Sequence, residues 1–370
     1  MRWLVRPICG LLALAACPAP ALAQRWQIEY FYDKYKSTLA ITDFQFVSAS
    51  RGVAVGDITE AKHQKPVAVV TSDGGAHWQL VDLKESPVSL FLLNESLGWM
   101  VTTHGLWRTT EAGKSWERVP GLSAGMFRVY FTDEQNGIAV GTKKRVEETH
   151  DSGKHWTPVT AAAEPPGEPN YSAYNWVAFA NPKFGIITGW NMPPRRKGLD
   201  YPDWMDPEQA MNRRETPHLT YSLVTRDGGK TWQPNSASLF GDVLRVRFGP
   251  EGQGLGLIEY SNSFRYPSEA YKIDWVTGKS ETVYRDRRFA ISDIWLTPDG
   301  TAYLAGTLVA GQIRHVVPGK VQVLKSSDYF TWTEMPVDYR ATADGVLLSV
   351  IDQDDMWMAT DSGMILKLVK

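Results

Sequence analysis

The chain has 370 residues and a near-balanced charge, with 39 Lys and Arg against 41 Asp and Glu. Lacking a basic surplus to neutralise a phosphate backbone, it is not expected to bind nucleic acid. The length could hold two domains, but 15 Trp without helical periodicity point to a continuous array of strands.

Residues 1–23 read as an export signal. Arg2 and Arg6 precede a mostly apolar run ending at Cys17, and Ala21-Leu22-Ala23 offers a small-x-small cleavage site before Gln24. The run is too short to span a membrane. Leu14-Ala15-Ala16-Cys17 also matches a lipobox, which would leave a lipidated Cys17 on an outer-membrane lipoprotein. Either route removes Cys9, so the mature chain forms no internal disulfide and is expected in the periplasm or outside the cell. Residues 26–32 then alternate apolar and polar side chains as a strand does.

One short phrase recurs along the rest. It runs Thr71, Asp73, Gly75, Trp78; then Thr109, Glu111, Gly113, Trp116; then Thr149, Asp151, Gly153, Trp156; then Thr225, Asp227, Gly229, Trp232; and, shortened, Ser326, Asp328, Trp332. The first three tryptophans recur about every 40 residues, the period of a propeller blade. Asp before Gly suits a tight hairpin, because the carboxylate accepts backbone N–H groups and Gly takes positive φ freely. The Thr hydroxyl supports the same turn, and the Trp buries a large surface against a neighbouring sheet. These residues are therefore structural. Glu111 in place of Asp, and the missing Gly after Asp328, predict two less regular turns.

The phrase resembles the Asp-box, or BNR, repeat of sialidase-like propellers. The rhythm of apolar strand, Gly, apolar strand and box is similar to the photosystem II assembly factor-like family called Ycf48 or Hcf136. That resemblance covers nearly all of the chain after the leader and implies a scaffold that holds other proteins.

Inner strands are read near Leu39, Val88, Phe127, Tyr174, Val243, Ile291 and Val346. The expected fold is all-β, a seven-bladed β-propeller with Asp-box hairpins over residues 24–370, one domain with a long insertion at 191–218 in blade 4. The last unit shows only three strands, so the strand at 26–32 is expected to supply its fourth, pair with 364–369 and close the ring.

The loops between second and third strands leave the face opposite the boxes. They read as short in blades 2, 3 and 7 but long in blade 1 (57–66), blade 4, blade 5 (261–270) and blade 6 (307–320). Long loops on a rigid scaffold tend to carry function. The blade 4 insertion holds Arg195, Arg196, Lys197, Tyr201, Trp204, Arg213 and Arg214, a mixture of charge and aromatics suited to a protein surface. Arg285, Arg287 and Arg288 lead into blade 6 and are expected to add a basic patch.

Catalytic patterns are thin. Gly121-Leu122-Ser123-Ala124-Gly125 matches a nucleophile elbow but lies in a loop rather than between a strand and a helix. The scattered His residues lack metal-site spacing, so neither a metal nor another cofactor is expected. Phe264-Arg265-Tyr266-Pro267 resembles the Phe-Arg-Ile-Pro signature of sialidases, in which the arginine binds a substrate carboxylate. Other candidates for such a site are Arg245, Arg247, Arg314, Tyr260 and Glu259. Against that reading, a loop arginine packed over its own Tyr266 accounts for the same four residues. The favoured reading is a non-enzymatic exported scaffold for envelope protein partners. A sialidase-like hydrolase of acidic glycans is the alternative.

Overall fold

The computed structural model describes residues 24–61, 63–193, 217–260, 265–309 and 319–370. These form seven antiparallel sheets around an axis, each built from strands adjacent in sequence except the last. The inner strands are Ser37–Phe46, Pro87–Leu92, Met126–Phe131, Ser172–Phe179, Asp242–Phe248, Phe289–Leu296 and Val346–Val350, in blades 1 to 7. The protein is a seven-bladed β-propeller. The export segment, including Cys9 and Cys17, and the blade 4 residues 194–216 lie outside the described residues.

Blade 7 is completed by the first strand of the chain. Arg25–Phe31 pairs antiparallel with Met364–Val369, with Trp26 opposite Leu368 and Phe31 opposite Met364. Trp26 is 1% exposed. The far edge of this strand is held too, because the Trp26 N–H donates to the Pro336 carbonyl at 2.8 Å and the Asp338 N–H donates to the Trp26 carbonyl at 2.9 Å. Pairing both sides removes an exposed sheet edge.

The repeated turns join the third and fourth strands of their blades. At the first, Asp73 Oδ1 accepts the His77 N–H at 2.9 Å and the Thr71 hydroxyl at 3.0 Å, while Thr71 Oγ1 accepts the Gly75 N–H at 3.0 Å. Asp151 and Asp227 repeat this arrangement. Glu111 is one methylene longer, and its carboxylate takes the Ser115 hydroxyl at 2.7 Å. At the fifth turn Tyr329 takes a left-handed φ of 70°, as Ala112 and Ser152 do at the same position of the second and third turns, and Asp328 accepts both the Phe330 and Thr331 N–H groups. Trp116 and Trp156 each donate to the carbonyl of their own turn's glycine, at 3.0 and 2.8 Å, and pack between sheets.

One expected loop is a strand. Residues 57–61 and 63–66 extend the hairpin of Gly52–Glu60 and His63–Thr71, paired out to Glu60 opposite His63, with Ala61 in left-handed φ of 56°. Polar residues hide the alternation there. Ile58 and Val67 both turn inward to the core beside Leu39, and that burial carries the strand past its polar neighbours.

Candidate binding site in the central channel

The inner strands line the channel, and a β-bulge sets which side chains reach it. In blades 1 to 6 the register shifts just before Asp43, Ser89, Arg128, Trp176, Arg245 and Asp293. Blade 7 pairs without a shift. A bulge re-aims the following side chain. Opposite the bulge in blades 1 and 6 the second strand carries Gly56 and Gly306, where a Cβ would stand 1.9 Å from the carbonyl oxygens of Ala40 and Ala290. The glycine after the apolar run is thus what lets the inner strand kink against its neighbour.

By register the residues form two tiers. The first holds Asp43, Ser89, Arg128, Trp176, Arg245, Asp293 and Leu347; the second holds Gln45, Phe91, Tyr130, Ala178, Arg247, Trp295 and Ser349. All of them but Ser89 line a cavity of about 570 Å³. Three arginines meet on one side of it. The guanidinium carbons of Arg128, Arg245 and Arg247 lie 4.4, 4.5 and 5.2 Å from the Trp176 ring centroid, and Arg247 lies 4.1 Å from that of Trp295. The Trp176 indole is fixed by its N–H, which donates to the Val246 carbonyl at 2.9 Å. Aromatic faces attract guanidinium groups, so the rings hold the cations without neutralising them.

Two carboxylates accompany the arginines, and both have other work. Asp43 accepts the N–H of Phe44 at 2.9 Å and, across the junction to blade 2, that of Leu90 at 2.8 Å, besides Arg128 Nη2 at 3.3 Å. Asp293 accepts the N–H of Ile294 at 2.9 Å and, across the junction to blade 7, that of Leu348 at 2.8 Å. Its contacts to Arg245 Nε and Arg247 Nη2 are long, 3.7 and 3.9 Å. The buried Nε of Arg247 has no hydrogen-bond partner. Burial pushes the Arg247 guanidinium down to about 10, partly offset by Asp293, and burial lowers Arg128 as well, with Asp43 opposing. Three cations against two engaged carboxylates leave a net positive, donor-rich wall suited to a carboxylate or another oxyanion.

The predicted site residues fall elsewhere. Arg195, Arg196, Lys197, Tyr201, Trp204, Arg213, Arg214 and Arg314 lie outside the described residues. Arg265 is exposed and its guanidinium sits 5.5 Å over the Tyr266 ring, which Arg285 approaches at 5.2 Å from the connection into blade 6. Arg287 and Arg288 are exposed in the same connection, where Asp286 Oδ1 accepts the Arg288 N–H at 2.6 Å. Ser123 accepts from Arg145 at 2.6 Å in the loop before the third inner strand. The Tyr260 hydroxyl donates to Glu269 at 3.0 Å, and burial with that carboxylate holds the phenol well above its usual range. Burial also raises Glu259, with Asp242 adding to the effect and Arg245 opposing it. Among the described residues no group of three or more His, Cys, Asp or Glu is placed to hold a metal ion. Arg128, Trp176 and the two aspartates were not legible as a site. The available signal is a polar residue at one register position of successive apolar strands.

Fold and channel together define a seven-bladed propeller with a cationic interior. No protein-family model matches the chain, and no curated protein matches its sequence. It is similar in fold to a structure described as YCF48 bound to D1 peptide, at 17% identity and a TM-score of 0.59 over 93% of this chain and 100% of that one. It is also similar to YCF48 from Cyanidioschyzon merolae, at 13% identity and a TM-score of 0.58 over 93% of this chain and 98% of that one. An ancestral GH74 enzyme overlaps at 14% identity and a TM-score of 0.44 over 74% of this chain and 37% of that one, too partially to bear on function.

Proposed function

We propose that the protein is an exported, non-enzymatic scaffold or assembly factor, similar to the Ycf48-like propellers with Asp-box repeats, that binds protein partners at the cell envelope. The observation that carries this is the trio Arg128, Arg245 and Arg247, held on Trp176 and Trp295, in which Arg128 meets Asp43 while Arg245 and Arg247 have only long contacts from Asp293 and the Arg247 Nε has no partner. Such a wall receives an acidic group of a partner. The structural neighbour that holds a peptide supports a protein partner over a small substrate. Export and cleavage after Ala23, or lipidation at Cys17, follow from the leader; the mass of the mature N-terminus tests which. The basic and aromatic residues of the blade 4 insertion, with Arg265, Arg287 and Arg288, extend the partner surface.

A second reading draws on the same three arginines. A sialidase-like hydrolase of acidic glycans needs a carboxylate clamp, which convergent arginines provide. It fares worse because Asp43 and Asp293, the acids beside the clamp, already accept backbone N–H groups across blade junctions. The deciding experiment pairs two readouts on wild type and Arg245→Ala/Arg247→Ala. Recovery of an envelope protein from membranes that is lost in the double variant, without turnover of fluorogenic acidic glycosides, supports the scaffold. Turnover lost in the same variant overturns it.

A further inference from the structure

At two blade junctions the propeller fills the same space with its own indole. Trp99 of blade 2 stacks on Phe131 of blade 3 with 3.6 Å between centroids and 5° between planes; Trp357 of blade 7 stacks on Phe46 of blade 1 at 4.2 Å and 7°. Both Trp residues are the second residue of their blade's second strand, and both reach beneath the next blade's repeated turn. Trp99 Nε1 lies 3.4 Å from the Ser152 carbonyl, and a Cβ on Gly75 would meet Trp357 at 2.4 Å.

Between blades 3 and 4 that position is Ile138. Phe179 takes the place of Phe131 and Phe46 at the end of the next inner strand; Tyr130 lies beside it at 5.3 Å and 21°, and Trp232 meets it edge-on at 6.2 Å, but no indole stacks on its face. The space is left as a groove of about 940 Å³ lined by Tyr130, Ile138 and Phe179. The glycine above it confirms the room. A Cβ on Gly229 would find its nearest atom at 3.7 Å, against 2.4, 2.9 and 3.0 Å at Gly75, Gly113 and Gly153. The rim carries Asp133, Glu148 and Asp227 against Lys230.

We propose that this groove is a docking site for an aromatic side chain, indole above all, presented by a partner segment with basic flanking residues. The ring would lie on Phe179 where the chain places its own Trp at the other two junctions, and the flanking cations would meet the acidic rim. The groove shares Tyr130 and Phe179 with the channel wall but opens on the face that bears the repeated turns.

The test uses the full chain and fluorescein-labelled nonapeptides, Gly-Ser throughout except for a central Lys-Trp-Lys. Polarisation should show saturable binding, weakened about tenfold when Leu replaces Trp, as loss of a ring stack requires, and weakened again when Glu replaces both Lys. Ile138→Trp should fill the groove from within, keep the fold and abolish binding. Should that variant fail to fold, Glu148→Lys on the half-buried rim should weaken the Lys-flanked peptide several-fold. Absence of binding at millimolar peptide, equal binding of the Trp and Leu peptides, or unchanged binding to folded Ile138→Trp would each overturn the proposal.

Discussion

Asp293 in blade 6 and Leu348 in blade 7 are joined by a 2.8 Å hydrogen bond from the Leu348 N–H to the carboxylate, so the acid beside two channel arginines is also a tie between blades. Its removal would break a junction and uncover two cations together. Arg247 can be changed without touching that tie.

Arg247→Met is therefore expected to stabilise the fold while weakening partner capture. The folded guanidinium is held at about 10 against 12.5, so burial of the charged form costs the native state, and that cost is relieved only as pH rises through the folded value. The shift corresponds to a penalty on the order of 3 kcal/mol, of which an apolar side chain should recover part. Urea midpoints at pH 7 check the sign; a lower midpoint would refute it.

Ring closure predicts the effect of Trp26→Ala. The side chain is buried in the cluster shared by Leu368, Met358 and Val321, and truncation should cost about 3–5 kcal/mol. Deleting residues 24–33 should go further and expose the edge of Met364–Val369, giving concentration-dependent aggregation in light scattering.

The repeated turns predict acid sensitivity. The His77 N–H bond, then the His77 ring, holds Asp73 down to about 2; the Thr231 hydroxyl, then its N–H, does the same for Asp227. Both values lie below the ordinary 3.8, so the stabilisation is complete above about pH 4 and lost as pH falls towards 2. Asp73→Asn/Asp227→Asn should narrow the gap between denaturation midpoints at pH 5 and pH 2.5. Partner capture by the folded double variant should be unchanged at pH 7.

Charge reversal of Arg195, Arg196, Arg213 and Arg214 should weaken partner recovery and its salt dependence, because surface charges act together through steering. Arg265→Ala should matter no more than a neighbour, since its guanidinium rests on Tyr266. Loss of a glycosidase activity on that single change would reverse the assignment.

Blade count and closure were legible because the repeated turns and the alternating strand at 26–32 are local patterns, readable without knowing what lies beside them. The hairpin at 57–66 was not, because Ile58 and Val67 face inward among polar residues and only tertiary burial reveals it. Arg245 and Arg247 could be named only among scattered candidates, because their convergence with Arg128 is set by bulges that register shifts encode and composition does not. The groove beside Ile138 is read from what a neighbouring blade has and this one lacks, a comparison that needs the strands aligned in space.

The closing pair has a mechanical consequence. Because Arg25 lies opposite Val369 and the strands run antiparallel, a force applied between these neighbouring ends would open the ladder one pair at a time, peeling it rather than shearing all its bonds together. A protein tethered through its N-terminus while a partner pulls on its last residues would yield first at blade 7, and single-molecule stretching should find a low, early rupture there before any other blade gives way.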